Sequence, residues 1–291
     1  MVDRSDPSTT QLRVRRPGWD GIAGSDPMWN RSHAELVAGM NAVSLLMPSV
    51  EPLIAAAVRS RRDDVPAELA EVAERFARQE LAHQGHHRAM NAVLRARYRG
   101  VARLERAIRA TYGWIGRRPG ASTLTFAAAS ETLAHALARW TAAHPSVLTH
   151  GSDGRWADGP WQALYTWHLA EEVEHKSVAF DVWRAAEPAS TRFAGRARFL
   201  GWGLASASLV ALFATLGALV QLHGERRLRN PLTWVRLAVL AVSVAFELIP
   251  ALVVAATAGH HPSRVADPVW FSTVLEGYDA AASRASAGRE T

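Results

Sequence analysis

The sequence predicts long helices with apolar stripes, and carboxylate and imidazole side chains interrupt those stripes. This feature restricts the possible folds of the chain more than any other. In the stretch WHLAEEVEHKSVAFDVW, which runs from Trp167 to Trp183, His168, Glu172 and His175 continue an apolar stripe with a period of about 3.6 residues. A carboxylate buried in such a core without a partner costs several kcal/mol. The pattern therefore predicts an all-α fold whose helices surround a shared polar centre.

A second helix repeats this arrangement. In the stretch FARQELAHQGHHRAM, Glu80, His83 and His87 share one face with Phe76 and Met90. The Glu and the first His are three residues apart, as in the helix described above. This spacing places both side chains on neighbouring turns of one face, where they can bind one ion together.

Two further helices each supply one inward carboxylate. Glu51 shares its face with apolar residues in MNAVSLLMPSVEPLIAAAV, where Pro48 and Pro52 are expected to bend the helix. Glu131 lies on the apolar face of TLTFAAASETLAHALARW, and His135 follows it by one turn. No arginine lies on these stripes near the Glu positions, so an arginine within the stripes cannot neutralise them.

The periodicity predicts four long helices. The first is expected to begin with Ser32 as its N-cap, and the second with Pro66 in its first turn. In the fourth, Glu171 lies at the edge of the inward stripe, whereas Glu174 and Lys176 are expected to be solvated. The predicted helices span residues 32–62, 66–99, 122–144 and 160–186, and a short basic segment at 101–114 links the second and third.

The order Glu, ExxH, Glu, ExxH on four consecutive helices is the ligand pattern of bundles that hold two metal ions. A single inward His is more often a hydrogen-bonded core residue, and a lone ExxH is common by chance, but the full set is specific. The chain has no cysteine, so His, Asp or Glu must hold any metal. Such ligands suit iron, with manganese or a mixed iron–manganese pair as alternatives. The predicted ligands are Glu51, Glu80, His83, Glu131, Glu172 and His175.

Two apolar runs follow the fourth helix, at residues 199–222 and 237–259, and Glu247 in the second is their only charged residue. Each run is long enough to cross a bilayer. Arginines lie at both ends of the first run, so the positive-inside rule assigns no orientation. The alternative is a buried hairpin that packs on the bundle or on a second copy of the chain in a homodimer. The chain is accordingly expected in the cytoplasm or, through this hairpin, at the cytoplasmic face of the membrane.

The net charge of +6 suits a phosphate-rich partner or an anionic membrane surface. Nucleic acid is not expected as a partner, because no reader motif accompanies the charge, although the arginines of RARYRGVARLERAIR leave RNA as a minor alternative. The predicted regions are a disordered basic arm at 1–30, the dimetal bundle at 31–190, the apolar hairpin at 191–260 and a C-terminal tail at 261–291.

The stretches QELAHQGHH, EEVEHKSVAFDVW and GHHPSRVADPVW resemble known proteins. Through them, about residues 30–278 resemble the ferritin-like di-iron carboxylate superfamily and, within it, the bacterial family of predicted metal-dependent hydrolases. The pattern HxxxExxH at His168, Glu172 and His175 is similar to that of p-aminobenzoate N-oxygenases, in which the first His binds iron. The resemblance implies a ferritin-like four-helix bundle and makes His168 a seventh ligand.

Three functions are compatible with these features. The ligand pattern favours an O2-activating di-iron oxidase or oxygenase that acts on a small apolar substrate. It would receive electrons from an external donor, since no flavin or nicotinamide fingerprint is present. The family name favours a hydrolase, in which a water acidified by two metal ions attacks the substrate and His87 or His135 serves as general base. The third is a non-enzymatic iron-binding bundle, which the apolar hairpin disfavours.

Overall fold

Helices make up most of the computed structural model, which describes residues 12–18, 21–144, 148–150, 155–156, 159–187 and 192–287. Two short strands, β1 (Thr149–His150) and β2 (Arg155–Trp156), pair antiparallel. The predicted all-α bundle followed by two apolar helices is confirmed. The α-helices are α1 (Ala34–Ser44), α2 (Met47–Arg59), α3 (Ala67–Arg97), α4 (Val101–Gly116), α5 (Gly120–Ala143), α6 (Pro160–Glu174), α7 (Val178–Ala186), α8 (Phe193–Gly224), α9 (Pro231–Ala255) and α10 (Trp270–Ala287).

The core lies between α2, α3, α5 and the pair α6–α7. α2 packs on α3 and α5, and α5 also packs on α6 and α7. Because the apolar stripes of these helices bury one another, the residues in the middle of each stripe meet inside the bundle. The large side chains that fill the space between them include Phe76, Phe126, Trp161, Phe180 and Trp183.

The first predicted helix is two helices, and its prolines explain why. α1 and α2 meet with a bend of 45°, as expected, although the break comes just before Pro48. Pro48 and Pro52 have no N–H with which to bond the carbonyls of Ser44 and Pro48, four residues earlier. Side-chain amides of α3 bind those carbonyls instead, because Asn91 donates to Ser44 O at 3.0 Å and Gln84 donates to Pro48 O at 3.2 Å.

The fourth predicted helix is also two helices, although this break contains neither proline nor glycine. α6 ends at Glu174 and α7 begins at Val178. Between them Lys176 is buried, and its ammonium group donates to Val265 O at 2.8 Å and to Asp267 Oδ1 at 2.5 Å. The predictions of a continuous helix and of a solvated Lys176 are both wrong, because these tertiary contacts outweigh helix propensity.

Two predicted helix starts also shift. Ser32 lies in a short 3-10 turn, Arg31–His33, and α1 begins only at Ala34, so Ser32 is not an N-cap. Pro66 is the residue before α3 rather than a residue of its first turn. A proline at either position is tolerated, because the N–H groups at a helix start have no partner within the helix.

α8 and α9 form the apolar hairpin, and one side of it packs on the bundle. α8 lies on α1 and α5, and α9 lies on α5. Gly217 allows α8 to approach α1 closely, since a Cβ at that position would lie 2.6 Å from the Cβ of Ala42. Gln221 adds a polar attachment, because its amide donates to Ala38 O and accepts from Asn41 Nδ2, both at 2.9 Å.

The outward side of the hairpin is apolar and exposed. In the most apolar 18-residue windows of α8 and α9, only 28% and 11% of the residues are buried. Both helices are long and apolar enough to cross a membrane. Glu247, the one acidic residue of these two helices, lies with its carboxylate 3.4 Å from Arg139 Nε of α5. Its charge is therefore paired with the bundle.

Residues 1–11, 19 and 20 of the predicted arm lie outside the described residues, but residues 12–18 and 21–30 are described, and Leu12, Ile22 and Met28 are buried instead of belonging to a disordered segment. The Arg15 side chain is 9% exposed. It donates hydrogen bonds to Glu171 and Glu174 of α6 and to Asp279 of α10. α10 itself packs on α6. The described part of the arm and the C-terminal helix thus meet over α6.

Candidate metal centre

Four Glu and three His side chains converge in the middle of the bundle, and none is more than 7% exposed. They come from α2, α3, α5, α6 and the residue after α6. All seven predicted ligands belong to one or more of three groups. Within each group, the possible ligand atoms lie within 4.8 Å of one another. The groups are Glu80 with Glu131 and His175, His83 with His168 and Glu172, and Glu51 with His87 and His168.

Two carboxylates lie between these groups. Glu172 places Oε2 3.2 Å from His175 Nε2 and Oε1 2.8 Å from His168 Nε2. Glu80 Oε1 lies 3.5 Å from His175 Nε2 and 3.7 Å from His83 Nδ1. One carboxylate from α3 and one from α6 therefore face two sets of nitrogen atoms, so each of them can serve two ions.

Several buried ligand atoms at the centre have no hydrogen-bond partner among the described residues. They are both oxygens of Glu51, Oε1 of Glu80, Oε2 of Glu131 and Nδ1 of His83. Buried polar atoms nearly always have a partner, and a buried carboxylate without one is costly. A cation would satisfy all of these atoms together. The donor set of oxygens and imidazoles fits iron, manganese or zinc.

Outer partners bind the nitrogens of two imidazoles that face away from the centre. His83 Nε2 donates to Glu171 Oε2 at 2.8 Å, which leaves Nδ1 facing the centre. His175 Nδ1 donates to Gln79 Oε1 at 3.3 Å, which leaves Nε2 facing the centre. Gln79 presents its oxygen to this ring because its amide nitrogen donates to Glu174 at 2.8 Å. Each ring thus has an outer partner for the nitrogen that faces away from the centre, as metal-binding imidazoles do.

A longer chain of hydrogen bonds does the same for His168. Asn91 Nδ2 donates to Ser44 O, so Asn91 Oδ1 accepts the Ser44 hydroxyl at 2.9 Å. Ser44 Oγ in turn accepts from His87 Nδ1 at 2.8 Å, and His87 Nε2 accepts from His168 Nδ1 at 2.7 Å. His168 Nε2 is left to face the centre. Because both nitrogens of His87 are engaged in this chain, His87 orients His168 and has no nitrogen left for the reaction.

Arg15 supports two of the outer partners, and the helical stripes do not reveal it. Its guanidinium donates to Glu171 at 3.0 Å and to Glu174 at 2.9 and 3.1 Å. The prediction that Glu174 is solvated is wrong, because its side chain is 13% exposed and also accepts from Gln79. Arg15 lies 156 positions from Glu171, and the edge position of Glu171 is the only sequence signal for this contact.

Burial and crowding shift the pKa values of the clustered groups. Burial, with the charges of Glu172 and Glu131, raises the pKa of Glu51 well above its usual range. Burial and the charge of Glu172 raise the pKa of Glu131 to about 8. Burial alone would lower the pKa of His175, but the Glu172 carboxylate raises it to about 9. Protons therefore compete with cations for this centre.

His135, the second predicted catalytic residue, lies outside the cluster. It follows Glu131 by one turn of α5 and is 6% exposed. Its Nε2 atom lies 3.5 Å from Asp267 Oδ1 and has no hydrogen-bond partner among the described residues. His135 also lines a cavity of about 260 Å³ beside the centre. His135 thus lines the cavity and belongs to none of the three candidate ligand groups.

Comparison with known proteins adds one finding to this geometry. A family model described as predicted metal-dependent hydrolase matches residues 13–266, a range that includes α1 to α9 and the whole centre. No curated protein and no solved structure matches the chain. The resemblance to the wider ferritin-like superfamily stays a prediction.

Proposed function

The chain belongs to the family of predicted metal-dependent hydrolases, and on that premise we propose that it is a hydrolase that depends on two metal ions in the bundle centre. One observation supports both the proposed number of ions and their proposed location. Three buried imidazoles turn a nitrogen, and four buried carboxylates turn an oxygen, toward the same small space. Core histidines do not need this shared orientation, whereas metal ligands do.

The proposed ligands form two sets that share one carboxylate. Oxygen donors outnumber nitrogen donors, which suits iron or manganese, and we propose iron as the first choice because three imidazoles accompany the carboxylates. The sets are Glu80, Glu131 and His175 for one ion and Glu51, His83 and His168 for the other, with Glu172 shared.

Bound there, two cations supply Lewis acidity and lower the pKa of a water molecule. For an ester substrate, the water oxygen forms a bond to the acyl carbon, and the bond from that carbon to the alcohol oxygen breaks. The proton released from the water ends on the alcohol oxygen. His135 is the side chain that we propose to deliver this proton, because its Nε2 lacks a hydrogen-bond partner and the residue lines the adjacent cavity.

The test uses full-length protein that is stripped of metal and reloaded with ferrous, manganous or zinc ions. Hydrolysis of p-nitrophenyl acetate and p-nitrophenyl octanoate is measured with and without oxygen. We expect turnover that requires metal but not oxygen, and its loss in Glu131→Ala. The matched control is Glu71→Ala, because that carboxylate is 76% exposed on α3. Turnover by metal-free protein, or equal loss in the two variants, contradicts the proposal.

Oxygen activation is the second candidate, and the order of the ligands favours it. α3 and α6 each supply a Glu with a His three residues later, and α2 and α5 supply one Glu each, which is the ligand set of di-iron bundles. This function would require an external electron donor and a small apolar substrate. Oxygen consumption by the ferrous protein, with an absorption band that dithionite bleaches and air restores, would favour it over hydrolysis.

A further inference from the structure

A cavity of about 260 Å³ lies beside the proposed metal centre. Its walls come from α5, α9, the turn after α6 and the segment before α10. Two of its lining residues are chain neighbours of proposed ligands, since Thr132 follows Glu131 and Lys176 follows His175. α5 and the turn after α6 thus each contribute residues both to the centre and to the cavity wall. A substrate pocket is expected in such a position next to the centre.

Each of the charged Arg, Lys and Glu side chains that line the cavity has an ionic partner, although Asp267, the partner of Lys176, is not itself a lining residue. Arg139 Nε lies 3.4 Å from Glu247 Oε1, and Lys176 Nζ lies 2.5 Å from Asp267 Oδ1. The buried His135 Nε2, in contrast, has no hydrogen-bond partner among the described residues, although it lies 3.5 Å from the same Asp267 oxygen. Balanced charges and an open hydrogen-bonding nitrogen fit an uncharged polar group better than an ion.

The outer rim of the cavity is apolar. Phe246 and Val254 of α9 line it, and they are 77% and 52% exposed. Val242 and Val239 continue the exposed apolar face along α9, at spacings of four and three residues from Phe246 onward. An apolar chain that leaves the cavity past Phe246 can therefore lie along this face of α9 and cover it.

The volume of the cavity limits how much of a substrate it encloses. Pockets that bury a whole drug-sized ligand usually have roughly 300–1,000 Å³. A cavity of about 260 Å³ holds a polar head group and the first carbons of an attached chain. The rest of a longer chain must lie outside, on the exposed face of α9.

We propose that this cavity binds the ester group of an amphiphile whose apolar chain lies along α9. The proposal rests on the proposed hydrolase function and names its class of substrate. In the bound ester, His135 Nε2 donates a hydrogen bond to an ester oxygen. Hydrolysis then follows the balance given above, with a new bond from water to the acyl carbon, a broken bond to the alcohol oxygen, and the proton on the alcohol.

The first experiment measures binding rather than turnover, with octan-2-one as the probe. This ketone has a carbonyl group and an apolar chain but cannot be hydrolysed. It is titrated by calorimetry into full-length, metal-loaded protein in detergent, with detergent alone as the blank. Octanoate, which has a charged head, is the comparison ligand. We expect saturable binding of the ketone and weaker binding of octanoate.

Two variants locate the binding site. Val254→Trp fills the cavity rim and is expected to abolish saturable binding, whereas Leu212→Trp changes an exposed residue of α8, away from the cavity and from α9, and is expected to bind like the wild type. His135→Phe is expected to lower the affinity about five- to tenfold, as the loss of one hydrogen bond does. Equal binding by the two tryptophan variants, or tighter binding of octanoate than of the ketone, overturns the proposal.

Turnover separates a failure of this proposal from a failure of the proposed function. If metal-dependent ester hydrolysis is absent but the ketone binds as described, the hydrolase function fails and the cavity assignment stands. If hydrolysis is present and Val254→Trp cleaves p-nitrophenyl octanoate as fast as Leu212→Trp does, the cavity assignment fails and the hydrolase function stands.

Discussion

The centre of the bundle and the outer face of the hairpin are each mismatched to their surroundings, but in opposite ways. Glu51 in the centre is a polar group that is 2% exposed, and Phe246 on α9 is an apolar group that is 77% exposed. Each mismatch needs a partner, a cation in one region and an apolar cover in the other. In the centre, the outer hydrogen bonds of the imidazoles specify which partner fits. On the hairpin, the extent of exposed apolar surface shows that an apolar partner is needed but does not specify which one. The centre therefore specifies its partner more closely than the hairpin does.

The largest expected effect concerns the hairpin. Because most of the outer surface of α8 and α9 is apolar, we propose that lipid covers it and that the full-length protein sediments with membranes until detergent releases it. Sucrose-gradient fractionation followed by detergent extraction measures this. Recovery of a monodisperse oligomer in the high-speed supernatant without detergent would show that a second copy of the chain covers the helices instead.

The next effect concerns the centre, where a metal ion is expected to raise the melting temperature of the metal-free protein. An ion at 100 times its dissociation constant stabilises the folded state by about 2.7 kcal/mol, or roughly 5 °C or more for a chain of this size. Differential scanning calorimetry with and without ferrous or manganous ion provides the measurement. Glu131→Ala should lose most of the increase and Glu71→Ala none of it. An unchanged melting temperature at saturating metal would contradict the dimetal centre.

A smaller effect is expected from Arg15, which holds the outer partners of the centre. Arg15→Gln should weaken metal binding about 10- to 100-fold, because it releases Glu171 and Glu174, which help to orient the rings of His83 and His175. The control is Arg13→Gln, since the Arg13 side chain is 65% exposed. Competition with a chelator measures the affinities. Equal metal affinities for the two variants would show that Arg15 does not support metal binding.

The smallest effect is a pH dependence of the metal-free protein. The raised pKa values of Glu131, about 8, and His175, about 9, mean that these groups hold protons in the folded state that they release on unfolding at pH 7 to 9. Their stabilising contribution is therefore lost as the pH rises from 4.5 to about 8 for Glu131 and from 6.5 to about 9 for His175. Burial lowers the pKa of His83 and His87, which opposes this trend, but only below about pH 6.5, where these side chains take up protons in the unfolded chain.

Thermal melts between pH 7 and 9 provide the measurement. The melting temperature of the metal-free protein should fall across this range. That of the metal-loaded protein should change less, because ions replace the protons. A flat profile for the metal-free protein would show that the clustered carboxylates do not take up protons.

Helical periodicity in the sequence predicts the parts of the centre that lie on helix stripes. Glu80 and Glu131 are examples, since each interrupts an apolar face and each ends within the cluster. The prediction fails where segments distant in the chain meet. Arg15 reaches α6, and Lys176 is drawn inward by Val265 and Asp267, and neither contact follows from a local period.

The two helix breaks show the same limit at the level of the backbone. The bend near Pro48 is predictable, because a proline removes a helical hydrogen bond wherever it stands inside a helix. The break after Glu174 contains neither proline nor glycine, and Lys176 within it binds the segment before α10. A local rule therefore finds the first break and cannot find the second.

The carbonyls freed by Pro48 and Pro52 also fix the height of α2 against α3. Asn91 binds Ser44 O at the end of α1 and Gln84 binds Pro48 O in the first turn of α2, so the two amides hold the start of α2 at one level along α3. A slip by one helical turn, about 5.4 Å, would leave both carbonyls without their amides and carry Glu51 away from the level of the other ligands. The two prolines thus help to set the position of Glu51 along the axis of the bundle.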